Sequence, residues 1–252
     1  MKNILITGMS GLIGELLRNH LEELGGYVLS ALNRRRVDGV TCHQADISNL
    51  EAIRPAFSGV DVAVHLAAAL PGQPWEAMLQ ANIIGTYNVY EAARLAGVKR
   101  VVFASSGNTV RGWDLDPDRP YGAITEGRYD EAPESWPMLT HDLVRPEGLY
   151  GATKVWGETL GRHFSDSYGM SILALRLGSV NREDRPMQVR EYSTWLSQRD
   201  AADIFHKCIE APDSLKYDIF LANSNNTWGY RDLGHPRQVL GWEPLDNAEM
   251  YR

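Results

Sequence analysis

Tyr150 and Lys154 stand four residues apart in Tyr-Gly-Ala-Thr-Lys, which is about one turn of a helix and puts both on one face. A phenol beside an ammonium suits removal of a proton from an alcohol while hydride leaves the same carbon. Free tyrosine titrates at about pKa 10, and a nearby cation is expected to lower that by favouring phenolate. Ser106 is the second serine of a pair ending the apolar run Val-Phe-Ala-Ser-Ser, and its hydroxyl can hold the reacting oxygen. Alone, a Tyr/Lys pair is as well explained by a surface contact.

A second constellation gives it meaning. Gly8, Gly11 and Gly14 form GxxGxxG directly after the first apolar run. Glycines there permit a tight turn and close backbone approach to a pyrophosphate, and the helix that follows offers N–H donors at its positive end. Ser10, Leu12 and Ile13 share that loop and are cofactor-binding candidates. After the second apolar run the chain reads Leu32-Asn33-Arg34-Arg35-Arg36. An acid at this point selects NAD through the ribose 2′-hydroxyl, and an arginine accommodates a 2′-phosphate. With no acid and three arginines, NADP is favoured over NAD, with Asn33, Arg34 and Arg35 as contacts; a solvated loop is the alternative. Asp46 is placed to accept from the adenine amino group, beside Ile47, or else caps a helix or a turn.

The elements that must position these groups follow from patterning. Apolar runs at Asn3–Thr7, Tyr27–Leu32, Val60–Leu66 and Arg100–Ala104 read as strands of a parallel sheet covered on both faces. Helical spacing fills Gly11–Leu24, Leu50–Phe57 and Trp75–Ala96 between them. Gly107 to Glu147 is polar, rich in Pro, Asp, Trp and Tyr, and has no sustained period. It reads as a lid or binding loop, since disordered segments are poor in aromatics. A helix over Gly148–Tyr168 and a strand over Ser171–Leu177 follow. A helix near Asp200–Glu210 and a strand near Tyr217–Ala222 complete one domain. The expected fold is α/β, a Rossmann-type doubly wound parallel sheet with a small C-terminal substrate-binding portion. The substrate elements are expected from 107–147 and 179–252.

Net charge of -7 argues against a nucleic-acid surface, which needs a basic face. Two cysteines, Cys42 and Cys208, lie far apart without Cys/His pairing, so no metal site and no disulfide framework are expected. With no run of about 18 apolar residues and no signal-like start, a cytoplasmic protein without membrane or nucleic-acid partners is expected.

The sequence resembles the extended short-chain dehydrogenase/reductases, the NAD-dependent epimerase/dehydratase family. The likeness runs through TGMSGLIG (7–14), HLAA (65–68), NIIGTYNVYEAAR (82–94), VFASS (102–106) and YGATK (150–154). It implies catalytic roles for Ser106, Tyr150 and Lys154, with Asn82 supporting the lysine through a water relay and Lys154 also binding the nicotinamide ribose. It further implies cofactor contacts from Leu66, Ala67 and Ala68. Nucleotide-sugar epimerases and dehydratases of this family carry an RxxNxYGP-like run and a C-terminal substrate domain. Here the run is Arg176-Leu-Gly-Ser179-Val-Asn, and only about seventy residues follow.

Within the family the chain is most similar to the uronate dehydrogenases and their relatives, which oxidise C1 of a free sugar or sugar acid to a lactone. LYGATKVWGETLGR (149–162), RLGSV (176–180), YSTWLSQRD (192–200) and LGW with DNAE (240–249) carry that likeness. It implies substrate contacts from Ser106, Gly107, Asn108, Tyr150, Ser179 and Arg190, the last pairing with a carboxylate. Where those enzymes tend to carry Asn-His after the serine, this chain has Gly107-Asn108, and a substrate-contacting serine after HLxx is Leu70. An epimerase, dehydratase or reductase of another small carbonyl, and a non-catalytic NADP sensor, are the rival readings. The fold family also implies a homodimer, with Tyr90 and Trp156 as interface or core residues.

Overall fold

Alternation in the apolar runs builds one sheet with two covered faces. In the computed structural model, which describes residues 1–252, seven strands form it. They are β1 (Lys2–Thr7), β2 (Tyr27–Asn33), β3 (Thr41–Gln44), β4 (Val62–His65), β5 (Arg100–Ser106), β6 (Ser171–Leu177) and β7 (Tyr217–Ala222). All pairings are parallel, in the order β3-β2-β1-β4-β5-β6-β7. The order reverses between β1 and β4, and such a reversal opens a crevice at the carboxyl ends of the strands.

Because successive side chains point to opposite faces, Ile4 and Ile6 join one core and Leu5 the other. On the first face α1 (Leu12–Leu24) packs with a late helix through Leu17, Leu21, Ile204 and Phe205. On the second, helical segments between β3 and β5 pack through Ile53, Phe57, Val89, Tyr90 and Ala93. These are α2 (Leu50–Ile53) with a 3-10 turn at Arg54–Phe57, α3 (Trp75–Met78) and α4 (Gly85–Leu95). The remaining helices are α5 (Tyr121–Thr125), α6 (Gly148–Tyr168), α7 (Glu191–Thr194), α8 (Gln198–Glu210) and α9 (Gly234–Leu240).

Two departures from the sequence pattern matter for the site. The helix expected over Trp75–Ala96 contains a π-helical stretch, Leu79–Ile84, which carries Asn82; such wide turns recur at functional sites. The segment 107–147 is ordered without being periodic. Val110, Tyr121, Ile124 and Leu139 close a third apolar cluster with Leu221 and Tyr230. Leu139 N–H donates to Tyr230 O at 2.7 Å, and Asp232 N–H donates to Leu139 O at 2.8 Å. The loop is thus sewn to the C-terminal segment by backbone bonds and aromatic packing, including Trp136 stacked on Trp228.

Tyr90 is a core residue, fully buried, its hydroxyl donating to Gly157 O at 3.2 Å. Trp156 is exposed. No helix is long and apolar enough to cross a membrane.

His65, in the HLAA run, is buried between two threonines. Its Nδ1 lies 2.9 Å from Thr7 Oγ1 and its Nε2 lies 3.2 Å from Thr86 Oγ1. Burial, with the Lys154 cation adding to it, pushes its pKa down to about 3. The unfolded chain takes up this proton as pH falls through about 6.5, and the folded chain does not until about 3. The stabilisation is complete above 6.5 and is lost as pH falls toward 3, with a ceiling of several kcal/mol. His65→Asn should therefore flatten the fall of melting temperature between pH 6.5 and 4. Parallel curves for variant and wild type would show that His65 is not the group responsible.

Candidate active site

The glycine loop is shaped for close approach. Gly8 has φ +73°, and a Cβ there would stand 2.9 Å from Ala67 N, so a side chain would collide with the strand-end residues that line the crevice. Thr7 Oγ1 accepts from Leu66 N–H and Ala67 N–H, both at 3.2 Å, which ties the Leu66, Ala67 and Ala68 turn to β1. Gly14 packs on Met9, where a Cβ would lie 2.5 Å from the Met9 carbonyl oxygen. α1 begins at Leu12, its first carbonyl-to-amide link running from Gly11 O to Glu15 N–H at 2.9 Å. The amides of Ser10, Leu12 and Ile13 thus belong to the loop and first turn of a helix directed at the crevice.

Asn33 occupies the end of β2. Its Nδ2 donates to Ser10 Oγ at 2.7 Å, and its Oδ1 is buried with no partner. Buried acceptors without partners are rare, and this one fits a ribose hydroxyl. Gly8, Ser10, Asn33 and the adjoining amides fit a dinucleotide. Arg34, Arg35 and Arg36 are exposed, and Arg36 pairs with Asp38 at 2.9 Å. Asp46 is exposed and closes a turn by accepting from Ser48 N–H at 2.9 Å. That bond holds its carboxyl below the usual range. The helix cap is Asn49, which accepts from Ala52 N–H at 3.1 Å. Ile47 is buried against Gly85.

The reacting set gathers where β5 meets the start of α6. Ser106 caps the turn Gly107–Thr109, its Oγ accepting from Asn108 N–H at 3.1 Å. The chain then runs beside residues 145–147. Arg145 N–H bonds Thr109 O at 2.9 Å, and Glu147 N–H bonds Asn108 O at 3.0 Å. This pairing delivers the first turn of α6, with Tyr150, to the end of β5. Further along α6, Gly157 lies flat on Phe103, where a Cβ would stand 2.4 Å from the ring. The helix therefore approaches β5 closely enough for Lys154 Nζ to donate to Ala104 O at 2.7 Å.

Burial governs the electrostatics here. The Tyr150 phenol is pushed up to about 12 by burial, with the Ser106 hydroxyl pulling the other way. The sequence expectation that Lys154 lowers the tyrosine is thereby corrected. Nζ lies 5.6 Å from the Tyr150 ring centre and is turned to the Ala104 carbonyl. Lys154 is itself pushed down to about 8 by burial, with Glu158 opposing.

Asn82 is buried. Its Oδ1 accepts from Ala69 N–H at 2.8 Å, and its Nδ2 donates to Ala69 O and Thr153 Oγ1, each at 3.0 Å. It thus grips α6 one residue before Lys154, with no direct bond to the ammonium.

Of the implied substrate residues, Ser179 follows β6 and sits 3.5 Å from Thr194 Oγ1. Arg190 is already paired. Its Nη2 and Nε donate to Asp114 Oδ2 at 2.5 and 3.1 Å. Leu70 is exposed.

Sequence reasoning missed a buried network behind the set. Arg176 forks onto Glu158 with two bonds of 2.8 Å, and Ser105 Oγ donates to Glu158 Oε1 at 2.5 Å. Two His/Asp groups, His20 with Asp203 and His206, and His141 with Asp218 and His235, also bring ligand atoms within 4.8 Å of one another. Neither includes a residue of the reacting set. A cavity of about 620 Å³ lies at the amino ends of the strands beside Lys2, Lys99 and Arg100, apart from Ser106 and Tyr150.

Residues 4–188 match the model of the NAD dependent epimerase/dehydratase family. The chain belongs to that family. It is 33% identical to the NAD-dependent glucose-6-phosphate dehydrogenase of Haloferax volcanii, over 97% of this chain and 94% of that protein. It is 31% identical to the L-arabinose 1-dehydrogenase (NAD(P)(+)) of the same organism, over 98% of each. The crystal structure of uronate dehydrogenase from Agrobacterium tumefaciens superposes with a TM-score of 0.83 at 32% identity, covering all of this chain and 87% of that one. The family resemblance and the Rossmann-type parallel sheet read from the sequence both hold, and this family member is built to bind NAD(P).

Proposed function

We propose that the chain is an NAD(P)-dependent dehydrogenase that oxidises C1 of a free sugar or sugar acid to a lactone. The observation that carries this reading is a coincidence of two things at one place. A hydroxyl, a phenol and an ammonium meet at the carboxyl end of β5, in a chain similar along its whole length to dehydrogenases of three different sugars.

Tyr150, as its phenolate, takes the proton of the anomeric hydroxyl and becomes the neutral phenol, and Ser106 shares that hydrogen bond and fixes the oxygen. A dinucleotide held by Gly8, Ser10, Asn33 and the adjoining amides would supply the hydride acceptor for C1. Lys154, held by Ala104 O, keeps a positive charge near Tyr150 and favours the phenolate that is needed before the proton is taken. Asn82 positions this helix turn through Thr153. Ser179, Asn108 and Gly107 line the substrate end of the cleft. Positioning and prearranged charge supply most of the acceleration.

NADP is read as preferred over NAD. Asn33 stands where an acid would reject a 2′-phosphate, and Arg34 and Arg35 are exposed beside it. Two copies are expected to pair, as implied by the fold family. The test is absorbance at 340 nm with uronates, aldoses and sugar phosphates, NAD and NADP in parallel. Net reduced cofactor with at least one sugar is expected. Silence with every sugar, while calorimetry shows the dinucleotide bound, would overturn the substrate assignment.

A further inference from the structure

Three arginines are buried or nearly so around the substrate end of the sheet: Arg176, Arg190 and Arg231. Two buried carboxylates face them. Glu158 is held by both arms of Arg176, and Asp114 is held by Arg190. Arg231 has no carboxylate. It is 3% exposed, its Nη1 donates to Asn223 Oδ1 at 3.2 Å, and its Nε is buried with no partner. Burial pulls its pKa down, and the neighbouring Arg190 and Arg176 cations add to that, while Tyr230 and the Asp114 carboxylate, already bound by Arg190, oppose it. Burying a cation without a direct ion pair is costly, because a neutral amide replaces only part of its hydration.

The place of the guanidinium says what it is for. It lies directly over Gly107, the residue after Ser106. A Cβ on Gly107 would stand 2.3 to 2.6 Å from Nη1, Nη2 and Cζ. Only the missing side chain at 107 makes room for a cation beside the hydroxyl that holds the reacting oxygen.

We infer that Arg231 is the anion-recognising group of the substrate cleft and takes a carboxylate or phosphate of the sugar. The inference rests on the sugar-dehydrogenase reading for the molecule that carries the anion. Arg231 does what Arg190, already bound to Asp114, is not free to do. A planar fork suits either oxyanion, and ligand binding supplies the direct ion pair that Arg231 lacks.

The experiment is thermal melting at saturating NADP, whose pyrophosphate and 2′-phosphate keep the glycine loop and the Arg34–Arg35 pair occupied. Glucuronate and galacturonate test a carboxylate, glucose 6-phosphate and inorganic phosphate test a phosphate, and glucose and arabinose are neutral controls. Wild type is expected to be stabilised by one anionic class and not by the neutral sugars. Arg231→Met should lose that shift and melt at or above the wild-type temperature without ligand, since it removes a buried charge that has no direct ion pair.

In turnover, the ratio of kcat/KM for the anionic over the neutral sugar should fall about 100-fold in Arg231→Met. Gly107→Ala keeps the charge but pushes the guanidinium aside, and should lower the same ratio. A purely structural Arg231 would instead give a lower melting point and equal losses on both sugar classes, and that overturns the inference. No anion-dependent shift in wild type also overturns it. If no sugar is oxidised at all, the sugar-dehydrogenase reading fails. The Arg231-dependent melting shift with anions then decides the inference alone.

Discussion

Tyr150→Phe lowers kcat by about 10²- to 10⁴-fold, the usual worth of a positioned base, and leaves dinucleotide binding in place. The substitution removes one oxygen and keeps the ring that packs near Lys154 and the end of β5. In wild type the phenol sits at about 12, so little phenolate exists at neutral pH and kcat/KM should rise with pH. The rise bends where Lys154 begins to lose its charge, at about 8. In the phenylalanine variant the residual rate should be flat over that range. Rates as a function of pH and calorimetric titration of NAD check both halves. Full activity in the variant would remove Tyr150 as the base.

Glu158→Ala destabilises the chain by about 3–5 kcal/mol, because it strands a buried guanidinium. Arg176 is 0% exposed and gives Nε and Nη2 to Glu158 and Nη1 to Leu143 O, so neither solvent nor another carboxylate can replace the partner. Replacing both residues, Glu158→Leu with Arg176→Met, removes the two charges together and should recover most of the loss. Urea unfolding of the two variants separates these cases. A single variant as stable as wild type would mean that the network is not holding α6 to β5 and β6. The glutamate also opposes the downward push on Lys154. In Glu158→Gln the bend in the pH profile should therefore move to lower pH.

The parts of this molecule that were legible in the sequence are those whose cause is local. The glycine triplet follows a strand and opens a helix, and Tyr150 and Lys154 share a turn, so spacing alone brought each group together. β6 and β7 start and stop at the residues their apolar runs suggest. What was not legible depends on distant partners. Glu158 and Arg176 lie on different elements, and only the packing of α6 on β6 joins them. Arg231 has no local signal, because its meaning comes from Gly107 across the cleft. The direction of the Tyr150 shift was misread because burial, which spacing does not report, dominates it, with only the Ser106 hydroxyl opposing. The segment 107–147 gave no period because its apolar side chains answer to Leu221 and Tyr230 rather than to one another.

That third apolar cluster makes the chain modular. The dinucleotide half is fixed by the twin cores of the sheet, and Tyr150 and Lys154 are fixed by α6. The segments proposed to face the substrate share a third apolar cluster that joins residues 110–139 to 221–230 and reaches the sheet through Leu221 of β7. Its other buried members lie outside the sheet and outside α6. A scaffold divided in this way can keep one reaction and change the sugar it accepts, which is the pattern in the names of its relatives: one chemistry, with a phosphate, an acid or a neutral pentose as the cargo.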